Sequence, residues 1–178
     1  METLKRGPAV VLPKDAGFII AYAKINKNSI VLDAGTGSGF LAIYLSNTAK
    51  KVITYEKRKE FYDIAKDNIK KLKIKNIIIK NKDIYKKIEE KNLDLITLDL
   101  AEPWKVFSYA IKSLKENALL VCYIPTIEQL KIIMEKIKKP LKLELITELI
   151  QRDWQSNPLR PKSQMIAHTG YLVFIRKV

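Results

Sequence analysis

One short run of the chain combines an acid with closely spaced glycines, directly after an apolar segment. The run is Asp33-Ala34-Gly35-Thr36-Gly37-Ser38-Gly39, and the apolar segment before it is Ser29-Ile30-Val31-Leu32. Glu56 lies 23 residues beyond Asp33, at the end of a second apolar run, residues 52–55. This order predicts a strand, a glycine turn, a helix and an acid at the tip of the next strand. Such a layout suits an adenosine whose ribose hydroxyls need a carboxylate.

The spacing of the glycines separates two classes of nucleoside ligand. A dinucleotide-binding turn has the pattern Gly-x-Gly-x-x-Gly, but position 40 is Phe40, and no Gly-Lys-Ser/Thr of a phosphate loop follows. The observed acid-x-Gly-x-Gly-x-Gly pattern resembles the first motif of class I S-adenosylmethionine methyltransferases. That cofactor has no phosphate, so the turn need only let backbone pass close to an adenosine and an amino-acid tail. The residues of this expected cofactor turn are Asp33, Gly35, Thr36, Gly37, Ser38 and Gly39.

Two acids have expected roles toward that cofactor. Asp33 is expected to meet its cationic tail, directly or through water, and Glu56 is expected to accept hydrogen bonds from both ribose hydroxyls. A third acid, Asp83, is followed by Ile84 just after a predicted strand. Class I methyltransferases often place an acid near the adenine amino group at this point. Residues 81–83 (Asn-Lys-Asp) also favour a turn, so the alternative is that Asp83 only forms the turn and does not contact the cofactor.

The candidate catalytic acid is Asp99, in the run Leu95-Ile96-Thr97-Leu98-Asp99-Leu100-Ala101-Glu102-Pro103-Trp104. Exocyclic-amine methyltransferases of this class usually have Asn/Asp-Pro-Pro-aromatic here, and its absence argues against direct methylation of an amine. No Pro-Cys nucleophile loop is present for methylation of a pyrimidine carbon. The remaining candidate acceptor is a neutral ring nitrogen, because its free lone pair attacks a sulfonium methyl without first losing a proton. Catalysis then needs positioning and a negative group that stabilises the cation left on the base, and Asp99 supplies both. Trp104 either stacks on the base or a neighbouring base, or is a core residue at a helix start.

Apolar runs alternate with helical periodicity along the chain. The predicted strands are residues 29–34, 51–55, 77–80, 93–98, 118–123, 141–149 and 171–175. The predicted helices are residues 14–24, 39–47, 60–72, a short one near 85–90, 105–114 and 127–138, and a polar loop is expected from Gln151 to about Ala167. This alternation predicts an α/β, Rossmann-like class I methyltransferase fold, with a mostly parallel seven-stranded sheet and helices on both faces. Because ligands bind beyond the carboxyl ends of such strands, the four acids are expected to converge on one rim.

Composition limits the class of protein. With 178 residues and 47% apolar content, the chain is expected to form one methyltransferase domain over residues 1–178. No apolar run approaches the ~18 residues of a membrane span. Charges and prolines in the first twenty residues break any signal-peptide core, so a cytoplasmic location without membrane contact is expected. Cys122 and His168 are each the only residue of their type, so no metal is expected.

The net charge of +14 favours a polyanionic partner such as nucleic acid. The alternative is a thermophile-like surface with solvated charge networks, because residues 57–91 alone hold 13 Lys/Arg against 6 Asp/Glu. Charge by itself leaves these two interpretations open.

A closer resemblance covers nearly the whole chain. It is carried, in order, by residues 12–17 (Leu-Pro-Lys-Asp-Ala-Gly), the glycine turn, Tyr55-Glu56, Asp83-Ile84, residues 98–104, residues 123–126 (Tyr-Ile-Pro-Thr), Arg160-Pro161 and residues 168–171 (His-Thr-Gly-Tyr). Together they resemble the catalytic domain of tRNA 1-methyladenosine methyltransferases that act on T-loop adenines. The resemblance implies that Asp99 is the active-site aspartate, and that Glu56 and Asp83 contact S-adenosylmethionine. It also implies that tRNA is the partner, that adenine 57 or 58 is flipped out of the T-loop, and that subunits form a homotetramer.

The sequence departs from that family in places. Members usually carry a small β-rich domain before the catalytic one, whereas this sequence starts almost at Pro13. Leu12 stands where the family usually has Tyr, and Ala101 where it usually has Pro. His168 is expected to order the tail or contact phosphate rather than act as a base.

Basic residues gather toward the C-terminus, and they are expected to form an RNA rim beside the cleft. They are Arg152, Arg160, Lys162 and Arg176.

Two alternative functions stay open from the sequence. One is a small-molecule methyltransferase, for example acting on a corrinoid precursor, since compact corrin-pathway enzymes share this fold. The other is a non-catalytic partner subunit that binds cofactor or RNA. The intact glycine turn together with Glu56 and Asp99 argues against the second.

Overall fold

The structure is a computed structural model that describes residues 4–7 and 9–178. Its strands are β1 Ile30–Ala34, β2 Lys51–Tyr55, β3 Ile77–Lys80, β4 Leu93–Leu98, β5 Leu114–Ile124, β6 Leu141–Thr147, β7 Trp154–Ser156, β8 Leu159–Pro161 and β9 Tyr171–Lys177. Its α-helices are α1 Pro13–Tyr22, α2 Phe40–Ser46, α3 Lys59–Lys71, α4 Phe107–Ser113 and α5 Ile127–Lys136. A 3₁₀ helix, Pro103–Val106, leads directly into α4.

Seven strands form the main sheet, in the spatial order β3-β2-β1-β4-β5-β9-β6. The pairs β1–β2, β1–β4, β2–β3 and β4–β5 are parallel, whereas β9 runs antiparallel between β5 and β6. This mostly parallel sheet confirms the predicted fold class. Within residues 4–7 and 9–178, no helix combines the length and apolar character needed to cross a bilayer.

Alternate residues of each buried strand pack on opposite faces of the sheet. In β1, Leu32 packs on the face covered by α4 and α5, and Val31 packs on the face covered by α1 and α2. In β5, Cys122 and Val121 divide in the same way. Because both faces are covered, these strands read as nearly continuous apolar runs in the sequence. The single cysteine is therefore a buried apolar residue, and burial raises the pKa of its thiol.

The prediction of a short helix near residues 85–90 is wrong. The segment is a turn followed by irregular backbone. Its lysine and glutamate side chains hold it against the end of β3, since Lys80 Nζ lies 2.6 Å from Glu90 and Lys82 Nζ lies 2.6 Å from Glu89. Ile84 and Ile88 are buried beneath it. The segment is thus held by lysine–glutamate ion pairs and by two buried isoleucines rather than by helical hydrogen bonds.

The polar loop expected between Gln151 and Ala167 contains a hairpin. Strands β7 and β8 pair antiparallel, with Gln155 opposite Arg160, across a turn at Asn157-Pro158. Asn and Pro are residues that favour tight turns, so local chemistry explains this addition. The hairpin forms a two-stranded sheet of its own.

Candidate active site

Parallel strands bring the acids to one edge of the main sheet. Asp33 lies in β1, Glu56 directly follows β2, and Asp99 directly follows β4. Glu56, Asp83 and Asp99 line a single cleft of about 300 Å³, named here the Asp83 cleft. The predicted convergence of acids on one rim is therefore present, with Asp33 buried beneath it.

The glycine turn joins β1 to α2 through backbone that glycine adopts readily. Gly35 has a φ of +88°, in the left-handed region. The N–H groups of Gly35 and Thr36 donate to the carbonyl of Tyr55 at 3.1 and 3.3 Å, which ties the turn to the end of β2. A Cβ added to Gly39 would stand 3.3 Å from the Cβ of Ala65, so α3 packs closely against the turn.

Ser38 links the turn to the N-terminal segment. Its hydroxyl oxygen accepts the N–H of Gly7 at 3.2 Å, and its carbonyl accepts the Asn68 side-chain amide at 2.8 Å. The same amide donates to the carbonyl of Lys5 at 2.8 Å. Asn68 thus holds the N-terminal segment and the turn against one another.

The Asp33 carboxylate is only 1% exposed, and both of its oxygens accept hydrogen bonds. Thr54 donates to Oδ2 at 2.7 Å and Thr97 donates to Oδ1 at 2.8 Å. The hydroxyl of Thr54 has one proton, so Thr36 is the donor in the 2.5 Å contact between the Thr36 and Thr54 hydroxyls. Burial raises the pKa of Asp33 to about 6, although the two threonine hydrogen bonds oppose the rise. Both Asp33 oxygens are therefore engaged within the protein, and contact of Asp33 with a ligand tail, directly or through water, stays a prediction.

Glu56 is 3% exposed and ties the glycine turn to the start of α3. Its Oε2 accepts the N–H of Gly37 at 2.9 Å. Its Oε1 accepts the backbone N–H of Arg58 at 2.9 Å and the side-chain Nε–H at 3.2 Å. A carboxylate oxygen has two lone pairs, so Oε2 keeps one for a ligand hydroxyl. The Arg58 side chain is 52% exposed, and its movement would free a second position on Oε1.

A second cleft of about 180 Å³ adjoins the first, and we name it the N-terminal cleft. Residues 9–11, the glycine turn and Phe61 line it. Gly35, Arg58 and Asp99 line both clefts. The two clefts therefore meet at Asp99.

Burial raises the pKa of Asp99 to about 7. Burial is the largest cause of that net value; the neighbouring Asp33 carboxylate also raises the pKa, the Arg58 guanidinium lowers it, and Glu56 adds a smaller rise. A carboxyl group with such a pKa changes charge near neutral pH, as acids at functional sites often do.

Asp83 and Ile84 line the Asp83 cleft as expected. Asp83 Oδ1 also accepts the N–H of Tyr85 at 3.0 Å, so Asp83 forms the turn as well. The two interpretations of Asp83 therefore describe one residue that both shapes the backbone and faces the cleft.

The other predicted site residues lie away from the two clefts. Trp104 is half-buried and packs against the core on the α4 side, which favours the interpretation as a core residue. Arg160 is exposed on β8, and Lys162 is exposed just beyond it. Lys162 lines a wide groove of about 1080 Å³ together with Leu12 and Pro13, which directly follow the residues that line the N-terminal cleft.

His168 holds the C-terminal tail. Its Nδ1 lies 2.8 Å from Glu148 Oε2, and its Nε2 lies 3.0 Å from the carbonyl of Pro125. Both neighbours are acceptors, so they favour the doubly protonated ring. The hydrogen bond to Glu148 is the largest cause of a raised His168 pKa, followed by the one to Pro125. This agrees with the expected tail-ordering role.

Sequence reasoning missed three groups of site residues. Thr54 and Thr97 stand in apolar strands, and only the strand register places them beside Asp33. Arg58, which lines both clefts, looked like one cation among many. Lys14 stands in the run Leu12-Pro13-Lys14-Asp15, which gives no sign that its side chain joins distant segments. A polar residue inside an otherwise apolar strand was the available signal for the two threonines.

No metal centre is evident in the part of the chain that the structure describes, because no three His, Cys, Asp or Glu side chains there are grouped to hold an ion.

Comparison with known proteins gives consistent results. Residues 2–158 match the family described as "tRNA methyltransferase complex GCD14 subunit". A curated tRNA (adenine(57)-N(1)/adenine(58)-N(1))-methyltransferase TrmI from Methanocaldococcus jannaschii is 39% identical, covering 99% of this chain and 74% of that protein.

Two solved structures are also similar over nearly the whole chain. The tRNA (m1A58) methyltransferase TrmI from Aquifex aeolicus superposes with a TM-score of 0.92 at 36% identity, over 99% of this chain and 73% of that one. A SAM-dependent O-methyltransferase from Thermotoga maritima gives a TM-score of 0.91 at 31% identity, over 97% of this chain and 68% of that one.

Proposed function

We propose, because this chain belongs to the GCD14 family of tRNA methyltransferase subunits, that it transfers a methyl group from S-adenosylmethionine to N1 of a tRNA adenine at position 57 or 58. The observation that carries the proposal is the position of Asp99, an acid with a pKa near 7 at the junction of two clefts. One cleft suits a nucleoside and the other an amino-acid tail, so the reacting atoms would meet beside Asp99.

The residues of the two clefts fit S-adenosylmethionine. Glu56 would hold the ribose hydroxyls with the lone pair that Gly37 leaves free on Oε2 and with one on Oε1 that movement of the Arg58 side chain would free. Asp83 and Ile84 would hold the adenine, and the glycine turn, Gly35 to Gly39, would accommodate the amino-acid tail with Asp33 acting through water. When bound, this cofactor supplies an electrophilic methyl group.

Asp99 would act on the target adenine in two ways. Its carboxylate would accept a hydrogen bond from the exocyclic amino group, which orients the ring. As N1 takes the methyl group and the methyl–sulfur bond breaks, the positive charge would pass from sulfur to the ring, and the ionised carboxylate would stabilise it there. The site is buried, so this interaction is stronger than it would be in water. The lone pair of N1 is free, so no residue has to remove a proton before attack.

The partner we propose is tRNA. The net charge of +14 favours a polyanion, and Arg160, Lys162 and His168 lie on the C-terminal segment that borders the groove beside Leu12. Trp104 has a weaker claim to contact RNA, because it packs on the core.

We also propose one methyltransferase domain over residues 1–178 and a homo-oligomer, a tetramer by resemblance to the family. Sedimentation of the purified protein would give the subunit number. A monomer at micromolar concentration would contradict the assembly without touching the chemistry.

The decisive experiment is incubation of the protein with S-adenosylmethionine and an unmodified tRNA transcript, followed by nucleoside mass spectrometry. We expect 1-methyladenosine. N6-methyladenosine as the product would overturn the assignment of the ring nitrogen as the methylated atom. No methylated nucleoside at all, together with turnover on a corrinoid precursor, would favour the small-molecule alternative. Cofactor binding without turnover on any substrate would favour a partner subunit.

A further inference from the structure

A partly buried ring of hydrogen bonds joins the start of α1 to the C-terminal tail. Lys14 Nζ donates to Asp15 Oδ1 at 2.8 Å, to Thr169 Oγ1 at 2.7 Å and to the carbonyl of Leu149 at 2.7 Å. The Thr169 hydroxyl in turn donates to Asp15 Oδ2 at 3.0 Å. We name Lys14, Asp15 and Thr169 the Lys14 clasp.

The Lys14 clasp is largely shielded from water, and its polar groups are hydrogen-bonded. The Lys14 side chain is 10% exposed and the Asp15 side chain is 0% exposed. All three protons of the ammonium group are donated, so its geometry is fixed in three directions. A buried ion pair adds little net stability over apolar packing, because desolvation of the charges offsets their attraction. Its contribution here is to fix the relative positions of the segments that it joins.

Two of the residues that Lys14 contacts, Leu149 and Thr169, flank a single segment of the chain. Leu149 directly precedes residues 150–168 and Thr169 directly follows them, and we name residues 150–168 the arm. Two more contacts hold its base, because Tyr123 donates its hydroxyl to the carbonyl of Thr169 at 2.7 Å and His168 binds Glu148. A single ammonium group thus holds together both points at which the arm leaves and rejoins the fold.

The arm carries the surface features of an RNA-contacting element. It contains the β7–β8 hairpin and three Lys or Arg side chains, Arg152, Arg160 and Lys162. Trp154 is 60% exposed, and an exposed aromatic ring suits stacking on an unpaired base.

The other side of the Lys14 clasp leads to the cofactor. Lys14 follows Leu12 and Pro13, and Val11 lines the N-terminal cleft. Pro13 fixes its own backbone φ at the first position of α1. The link from Val11 to Lys14 is therefore short and stiff, and a ligand that packs against residues 9–11 restricts the Lys14 clasp as well.

We propose that Lys14 is a positioning residue through which cofactor binding orients the arm for tRNA. The proposal rests on the proposed function, since it takes S-adenosylmethionine and tRNA as the two ligands. Bound cofactor packs against residues 9–11, the Lys14 clasp links that segment to both ends of the arm, and tRNA then meets an arm that is already positioned. Linkage is reciprocal, so bound tRNA raises the affinity for cofactor by the same factor.

The test measures the affinity for an unmodified tRNA transcript with and without saturating S-adenosylhomocysteine, which occupies the cofactor site without reacting. In the natural sequence we expect tRNA to bind at least about fivefold more tightly with S-adenosylhomocysteine, in the range typical of such coupling. In the double variant Lys14→Met/Asp15→Asn this ratio falls to within about twofold, while S-adenosylhomocysteine alone binds as before. Both charges are removed together, so that no unpaired carboxylate is left buried.

Two further variants keep the test decisive. Thr169→Val preserves the shape and the Lys14–Asp15 pair, and it cuts only the hydroxyl link to the tail; it should lose part of the coupling even if the double variant fails to fold. Lys136→Met removes an exposed lysine of α5 and should keep the full ratio.

Coupling that is equal in the natural sequence and in Thr169→Val would overturn the proposal, as would tRNA binding with no dependence on S-adenosylhomocysteine. Loss of coupling together with a change in sedimenting mass would also overturn it, because the arm would then serve subunit assembly. No tRNA binding under either condition would overturn the proposed function itself.

Discussion

The carbonyl oxygen of Asp99 lies 2.0 Å from the point where a Cβ on Gly35 would stand. The glycine turn and the loop that carries the candidate catalytic acid therefore touch through backbone, with no room for a side chain between them. Gly35 also has a φ of +88°, which a residue with a Cβ adopts only at a cost of roughly 1–2 kcal/mol. The position of Asp99 thus depends on the absence of a side chain at residue 35.

The substitution Gly35→Ala should separate these two loops. Either the turn or the Asp99 backbone has to move, so we expect S-adenosylhomocysteine affinity and methyl transfer both to fall at least about tenfold, about 1.4 kcal/mol. Calorimetry and a labelled-methyl assay would measure them. The matched control is Gly17→Ala in α1, where nothing lies within 4 Å of the new methyl group. That change should leave activity intact and stabilise the fold by about 0.5–1 kcal/mol. Unchanged binding in Gly35→Ala would contradict the close packing.

Glu56→Gln tests the ribose-binding role. The amide keeps one acceptor oxygen, so it cannot serve Gly37, Arg58 and a ribose diol together. We expect at least about a tenfold loss of S-adenosylhomocysteine affinity by calorimetry, as for removal of hydrogen bonds to a charged group. Glu60→Gln, an exposed change in the first turn of α3, is the control and should bind normally. Equal affinities in the two variants would remove Glu56 from the site.

The pH dependence of the reaction should report Asp99. Its pKa is about 7, so the carboxyl loses its charge as the pH falls through that value. We expect kcat/KM to fall on the acid side with an apparent pKa near 7, because that profile reports the free enzyme. The corresponding limb of kcat should lie at lower pH, since a bound sulfonium cation favours the ionised carboxylate. Asp99→Asn should abolish turnover and keep S-adenosylhomocysteine binding. A kcat/KM that is flat from pH 5 to 8 would contradict the assignment.

Asp33→Asn should change how stability depends on pH. Burial raises the folded-state pKa of Asp33 from 3.8 to about 6, so the folded protein holds this proton more tightly than the unfolded chain. The free energy of unfolding therefore falls as pH rises from about 4 to about 6, by at most roughly 3 kcal/mol for a shift of this size. Asn stays neutral and removes that loss. Urea unfolding at pH 4.5 and pH 8 should show that the stability of the variant relative to the natural sequence is higher at pH 8 than at pH 4.5. The same relative stability at both values would mean that burial does not raise the pKa of Asp33.

His168 should titrate above its ordinary pKa of 6.5, because it donates to Glu148 and to the carbonyl of Pro125. A raised histidine pKa contributes stability that is fully present below the unfolded value and is lost as pH rises through the folded value. The contacts of His168 to Glu148 and Pro125 should therefore weaken as the pH rises through this raised pKa. His168 is the only histidine, so one pair of imidazole NMR signals reports it. Glu148→Gln should lower the measured pKa, and an unshifted value in the natural sequence would contradict the contact.

The sequence alone determined the features that are local or periodic. Alternating apolar runs gave the strands and the parallel sheet, because a strand covered on both faces must be apolar along its length. The glycine spacing and the strand-end acids then placed Asp33, Glu56, Asp83 and Asp99 on one rim, since parallel strands end at the same edge. The prediction of a helix near residues 85–90 was wrong. Lysine–glutamate pairs and buried isoleucines connect this segment to other parts of the chain, and these contacts determine its backbone conformation.

Only the tertiary structure decided which distant residues share a contact. The register of β1 against β2 and β4 puts Thr54 and Thr97 on the Asp33 carboxylate. The fold also brings Thr169 to Lys14, across 155 positions of the chain. No local pattern encodes either arrangement, because hydrogen bonding and burial depend on what lies beside a side chain in space. The same reason explains why the pKa of Asp99 could not be read from the sequence: it follows from enclosure of the acid beside other carboxylates.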